Sequence, residues 1–339
     1  MVKRLVFTTI AGFVAALGAT GILYAQNTQV NSDPIRSGLW TGANLEFDTN
    51  NQNNAATSNS ARSTSTGGTR YPTPSTNTGG TRYPSQGNQT QSNGSTNGTY
   101  AALGDSVAAG LGLSGNQGGG QCGRTSQAYP YRVAQSTGLS LNHIACSGAT
   151  VGDLVSRQGV SGPNIPAQLD TAFVSGTPRL ITITAGANDV KWVDFLKICY
   201  TSTCANQLNT LAANGYMMVL RAKMEYVLRD IERRSNGNPP QVIVTGYYNP
   251  VSNACKNRIA QITPDEIDWL NTERSTLNRT IRDVVADHSF ATYASTNFDG
   301  HGICSSDSWV QGLNDAAPLH PTAAGQAAIA DSVLQTINR

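Results

Sequence analysis

Net charge is nearly absent from this chain: 23 Lys and Arg against 21 Asp and Glu leave a formal +2 over 339 residues. It therefore carries no basic field of the kind that gathers nucleic acid or an anionic membrane surface. There is no Cys-x-x-Cys pair, and none of the four histidines stands at ligand spacing, so no metal site is expected. A Gly-x-Ser-x-Gly elbow, a phosphate-binding loop and a His-Glu-x-x-His pair are missing as well. Their absence argues against an α/β-hydrolase, a nucleotide enzyme and a zinc protease, and no cofactor is implied. No cysteine follows the N-terminal apolar run, which argues against a lipid-anchored lipoprotein.

That apolar run extends from Leu5 to Leu23, behind Lys3 and Arg4 and ahead of Ala25 and the polar Gln26. Basic, apolar and small residues in that order read as an export signal over residues 1–25. The competing reading is an uncleaved anchor, because the run is just long enough to span a bilayer. Residues 26–98 are Asn, Ser, Thr, Gly and Gln with few apolar side chains, a composition that cannot offset the entropy of ordering, so a disordered tether is expected. Within it Gly67-Gly68-Thr69-Arg70-Tyr71-Pro72 recurs as Gly79-Gly80-Thr81-Arg82-Tyr83-Pro84, too few copies for a solenoid. The tether would permit association with a cell surface.

Residues 99–339 have the length of one domain and hold all six cysteines, Cys122, Cys146, Cys199, Cys204, Cys255 and Cys304. An even count behind an export signal implies disulfides, though spacing does not choose among the pairings. Strands are read at Tyr100–Leu103, Leu139–Ala145, Arg179–Ala185, Gln241–Thr245 and Ser289–Ala294. Met218, Leu220, Met224, Val227, Leu228 and Ile231 recur at helical spacing between Asn214 and Arg234. Thr263-Pro264-Asp265-Glu266 forms a capping box ahead of Ile267, Leu270, Leu277, Ile281 and Val284. A last helix runs from Pro321 to Ile337, while 112–121 and 190–209 read as loops. Strands alternating with helices give a three-layer α/β/α sandwich on a mainly parallel five-stranded sheet.

Four strand-end breaks carry the chemistry. Tyr100 to Leu103 reads as a strand covered on both faces, and Gly104-Asp105 ends it just before the Ser106 hydroxyl. Taken alone, Gly-Asp-Ser is an ordinary helix-capping turn. Ala145-Cys146-Ser147-Gly148 follows the second strand, Gly186-Ala187-Asn188-Asp189 the third, and Leu319-His320-Pro321 precedes the last helix. A tetrahedral intermediate needs a nucleophile, a base and donors aimed at its oxyanion. Ser106, His320, the amides of Ser106 and Gly148, and the Asn188 carboxamide are candidates for those roles. His143, His288 and His301 lack a loop-before-helix setting, and Asp105 and Asp189 are read as shaping their turns.

Ser106, Gly148, Asn188 and His320, in that order and within those motifs, resemble the marker positions of the SGNH (GDSL) hydrolase superfamily. Cys122-Gly123-Arg124-Thr125-Ser126-Gln127-Ala128-Tyr129-Pro130 and Ala145-Cys146-Ser147-Gly148-Ala149 narrow the likeness to secreted actinobacterial esterases and lipases. The resemblance implies an exported, monomeric enzyme that cleaves a small-molecule or lipid carboxylic ester through an acyl-enzyme, without metal or cofactor. It also implies the pairs Cys122–Cys146, Cys199–Cys204 and Cys255–Cys304. Deacetylation of a surface polysaccharide, or acyl transfer to one, is a rival reading, and a non-catalytic glycan-binding module is another. The chain departs from the superfamily at position 317, where Ala replaces the expected Asp. The Ala317 backbone carbonyl is therefore the expected orienter of His320, with Asp315 as the alternative, since Pro318 restricts the direction of that carbonyl.

Overall fold

The computed structural model describes residues 98–116, 120–159 and 165–337. The expected signal segment and, Gly98 apart, the expected tether lie outside the described residues. Five strands form one sheet in the order β2-β1-β3-β4-β5, every neighbouring pair parallel. They are β1 (Thr99–Gly104), β2 (Ser140–His143), β3 (Leu180–Thr184), β4 (Gln241–Thr245) and β5 (Ala291–Ala294). Both alternating sets of β1, β3 and β4 side chains are buried, as in a sheet covered on two faces.

The helices are α1 (Ser106–Ala109), α2 (Tyr129–Thr137), α3 (Gln168–Ala172), α4 (Trp192–Thr201), α5 (Gln207–Arg234), α6 (Pro264–Val285) and α7 (Ala323–Ile337). α2 lies against α7, and α5 against α6. The capping box at Thr263 closes as expected, with both the Thr263 and Glu266 side chains engaged, and all five of that helix's expected core residues are buried.

The structure corrects several details. α4 occupies a stretch read as loop. Its N-cap, Lys191, is in the left-handed region at φ 58° with no side-chain cap, and its sequence is rich in aromatic and β-branched residues. No local signal announces it; burial of Phe195, Leu196 and Cys199 holds it. α5 begins at Gln207, and its buried methionines are Met217 and, as expected, Met224, whereas Met218, also expected in the core, is exposed. One residue is 100° of turn, enough to move a side chain off the buried face.

A second, smaller apolar cluster stands apart from the sheet core. Leu196, Val251, Ile262, Ile267 and Leu270 gather there around Cys199, Cys204 and Cys255. The disulfides are Cys122–Cys146, Cys199–Cys204 and Cys255–Cys304, the pairing the resemblance implied.

Candidate active site

β1 ends at Gly104, whose φ of 131° suits glycine and whose Cα lies against β3: a Cβ there would fall 2.1 Å from the Thr184 carbonyl oxygen. The backbone then turns, and Asp105 caps α1 by accepting the Val107 amide at 2.9 Å. The capping-turn reading and the nucleophile reading of Gly-Asp-Ser thus describe one geometry. Asp105 holds the turn and the next residue presents its hydroxyl. Buried Gln168 fixes the turn from below, accepting from the Gly104 amide and donating to its carbonyl at 2.7 and 2.9 Å.

His320 meets Ser106 across the carboxyl ends of the strands, with Nε2 2.7 Å from Oγ. Its Nδ1 is 3.1 Å from the Pro318 carbonyl. A carbonyl only accepts, so Nδ1 carries the proton, Nε2 is left as acceptor, and the serine hydroxyl donates to it. Burial pushes the imidazole below its usual pKa, partly offset by the carbonyls of Pro318 and then Ala317. The ring stays neutral, and so able to take a proton, to lower pH than a free histidine.

The ring's hydrogen bond goes to the Pro318 carbonyl, and the Ala317 carbonyl, the expected orienter, stands second to it. The Ala317 carbonyl is engaged by the backbone amide of His320 at 3.1 Å. Leu319, between them, adopts φ 66°, an uncommon conformation for a branched side chain, and this turns the loop so that the Pro318 carbonyl faces the ring. Asp315 does not reach the histidine. Its carboxylate accepts the Gly312 amide at 2.6 Å, closing a tight turn short of the site.

Asn188 and Gly148 stand on the two strand ends flanking Ser106. The Asn188 side-chain nitrogen donates to the Ala149 carbonyl at 2.8 Å, which orients the carboxamide and leaves its other hydrogen for a ligand. Gly148 is exposed, with φ 79°. Asp189 is buried and ties these two ends together, accepting the Val151 amide and the Lys223 ammonium, each at 2.8 Å.

Four residues that carry no motif hold this arrangement. The Tyr247 hydroxyl donates to Asp105 at 2.6 Å and accepts the Ala187 amide at 3.2 Å, linking the serine turn to the Asn188 turn. Burial pushes its phenol well above the usual range and raises the Asp105 carboxyl to about 7, with the Tyr247 hydrogen bond opposing the latter shift. Buried Gln311 spans the serine and histidine loops. Its Nε2 donates to the carbonyls of Leu111 and Pro321, its Oε1 accepts the Ala317 amide, and its backbone pairs with Leu319 and His320. Tyr248 donates to the Leu319 carbonyl at 2.7 Å, and Gln326 joins the Val107 carbonyl to the Tyr129 amide. Each acts through tertiary contact across many residues of chain, so no spacing rule could have singled it out.

The remaining histidines lie elsewhere. His143 Nε2 bonds the Ala108 carbonyl and its pKa is lowered to about 4 by burial; His288 pairs with Glu225; His301 stacks on Trp309. No cluster of His, Cys, Asp or Glu able to hold a metal occurs among the described residues.

A serine bonded to a histidine at the carboxyl edge of a parallel sheet, with amide donors on both neighbouring strand ends, is the layout of a serine hydrolase. The chain belongs to the GDSL-like lipase/acylhydrolase family, whose model matches residues 102–328, and it is a carboxylic ester hydrolase. It is 32% identical over 236 residues to a lipase of Streptomyces rimosus, covering 67% of this chain and 82% of that one. Among solved structures, a phospholipase A1 of Streptomyces albidoflavus NA297 is 30% identical with a TM-score of 0.58, over 70% of this chain and 99% of that one. The extracellular lipase of Streptomyces rimosus gives the same TM-score and coverages at 26% identity.

Proposed function

We propose that this chain is an exported, monomeric hydrolase of lipid esters that works through an acyl-enzyme on Ser106. The observation that carries the reading is the 2.7 Å contact between Ser106 Oγ and His320 Nε2, with the ring held by a carbonyl on its other side. Names of relatives, a lipase of Streptomyces rimosus and a phospholipase A1, support the lipid substrate. Three disulfides and the signal-like N-terminus support export, and the tether composition of residues 26–98 supports association with a cell surface.

In this mechanism Oγ attacks the ester carbonyl carbon while its proton passes to Nε2. Charge then collects on the former carbonyl oxygen, which receives the Ser106 and Gly148 amides and the free Asn188 N–H. Nε2–H protonates the departing alkoxide as the carbon–oxygen bond breaks, leaving acyl-Ser106. Water repeats the sequence, giving up its proton to Nε2, and Oγ leaves with that proton to regenerate the serine and a carboxylic acid.

The test is Ser106→Ala and His320→Ala in the full chain. Turnover of a dissolved aryl ester should fall by about 10⁴-fold or more, with thermal unfolding little changed. An organophosphate should label the parent at Ser106 alone. Substantial turnover by a folded Ser106→Ala protein would overturn the assignment.

A further inference from the structure

Of the seven large apolar side chains exposed among the described residues, six lie on α5: Leu208, Leu211, Tyr216, Met218, Val219 and Tyr226. Leu208 and Met218 are 78% and 75% exposed. At 100° per residue, 208, 211, 218, 219 and 226 share an arc of about 100°, with Gly215 and Ala222 filling the gaps between them. An exposed apolar stripe of this extent marks an interaction surface.

Its position relates it to catalysis. α5 leads into the amino end of β4, so its N-terminal half points toward the carboxyl ends of the strands. Leu220 abuts Gly186 just past β3, and Lys223 bonds Asp189 beside it. Residues 207–219 therefore overhang the sheet by about 20 Å at 1.5 Å per residue, on the end of the domain that carries Ser106 and His320.

Charge says what the stripe fits. From Gln207 to Leu220 there is no charged residue, and no acidic one precedes Glu225. Farther along the same arc come Arg229 and Arg233, whose side chains are 72% exposed even while paired with Glu225 and Asp230. A neutral apolar stripe followed by guanidinium groups matches an acyl layer beneath phosphate headgroups. No described helix is long and apolar enough to cross a membrane.

We propose that the exposed face of α5 docks on the lipid surface containing the substrate and holds the Ser106 end of the domain against it. This rests on the lipid-ester reading above and adds the surface through which the enzyme meets an aggregated substrate. The test uses the full chain with Leu208, Leu211 and Met218 all changed to Gln, positions whose exposure spares the core. Sedimentation with phosphatidylcholine vesicles, with and without phosphatidylglycerol, reads docking; turnover of vesicle-borne and dissolved esters reads its consequence. Vesicle binding and vesicle-borne turnover should drop about tenfold or more, with dissolved-ester turnover within about twofold of the parent. Arg229→Gln with Arg233→Gln should weaken binding only to the phosphatidylglycerol vesicles. A Ser106→Ala chain should bind as the parent does while turning over nothing, so docking is read even if the catalytic assignment fails. Parent-like vesicle binding by the triple variant would overturn the proposal. So would a parent dimer, seen by sedimentation equilibrium, that the triple variant abolishes.

Discussion

Around the sheet, Tyr100, Leu103, Ile181, Ile183, Val242 and Val244 are buried among helices, and each strand is hydrogen-bonded to its neighbour. Beyond the strand ends the smaller cluster holds Leu196, Ile262, Ile267 and Leu270 together with the cystines 199–204 and 255–304. The first region draws its stability from apolar burial and a continuous ladder, and it fixes Ser106, Gly148 and Asn188 at adjacent strand ends. The second has little apolar surface to bury, and cross-links supply part of what a larger core would. Chemistry should therefore be sensitive to changes at the strand ends, and stability to loss of the cross-links.

The sharpest way to break that contrast is Asn188→Ala, which should lower turnover by about 10²–10³-fold with substrate affinity and unfolding nearly unchanged. A raised KM with turnover intact would make Asn188 a ground-state binding group. Changing Cys255 and Cys304 together to Ser should destabilise the domain by about 4 kcal/mol, and the Cys199/Cys204 pair by about 2, following separations of 49 and 5 residues. Denaturant titration checks the order; equal losses would show that the smaller cluster does not depend on the longer cross-link.

At the strand ends, pH separates chemistry from stability. Since burial lowers the His320 pKa, kcat/KM for a dissolved ester should hold as pH falls past 6.5 and decline only below it. Asp105 acts in the opposite sense on stability. Its folded pKa of about 7 exceeds the ordinary 3.8, so the folded state binds the proton more tightly and stability falls as pH rises between those values. Asp105→Asn should flatten that window, measured by unfolding at several pH values. The smallest effect belongs to Asp315→Asn, under about tenfold in turnover, because its carboxylate serves the Gly312 turn and not the imidazole. A loss near 10⁴-fold, the cost of removing a triad carboxylate, would reinstate it.

Local chemistry made much of this legible in advance. The β-branched run Leu180–Thr184 permits little but a buried strand, the Thr263 capping box marks a helix start, and four short motifs in fixed order mark the site. α4 was illegible because neither its cap nor its propensity favours a helix, and only burial against the smaller cluster selects that conformation.

The sequence by itself determined the order of the strands along the chain, the even cysteine count, and which serine, glycine, asparagine and histidine follow strands or precede the last helix. Each of these follows from residue type and near neighbours. Tertiary structure decided how His320 is oriented, since one carbonyl on a short loop differs from the next only by where Gln311, Tyr248 and the left-handed Leu319 place it. It also decided that Met218 faces solvent, because a helix's outward face is set by what packs against its other side.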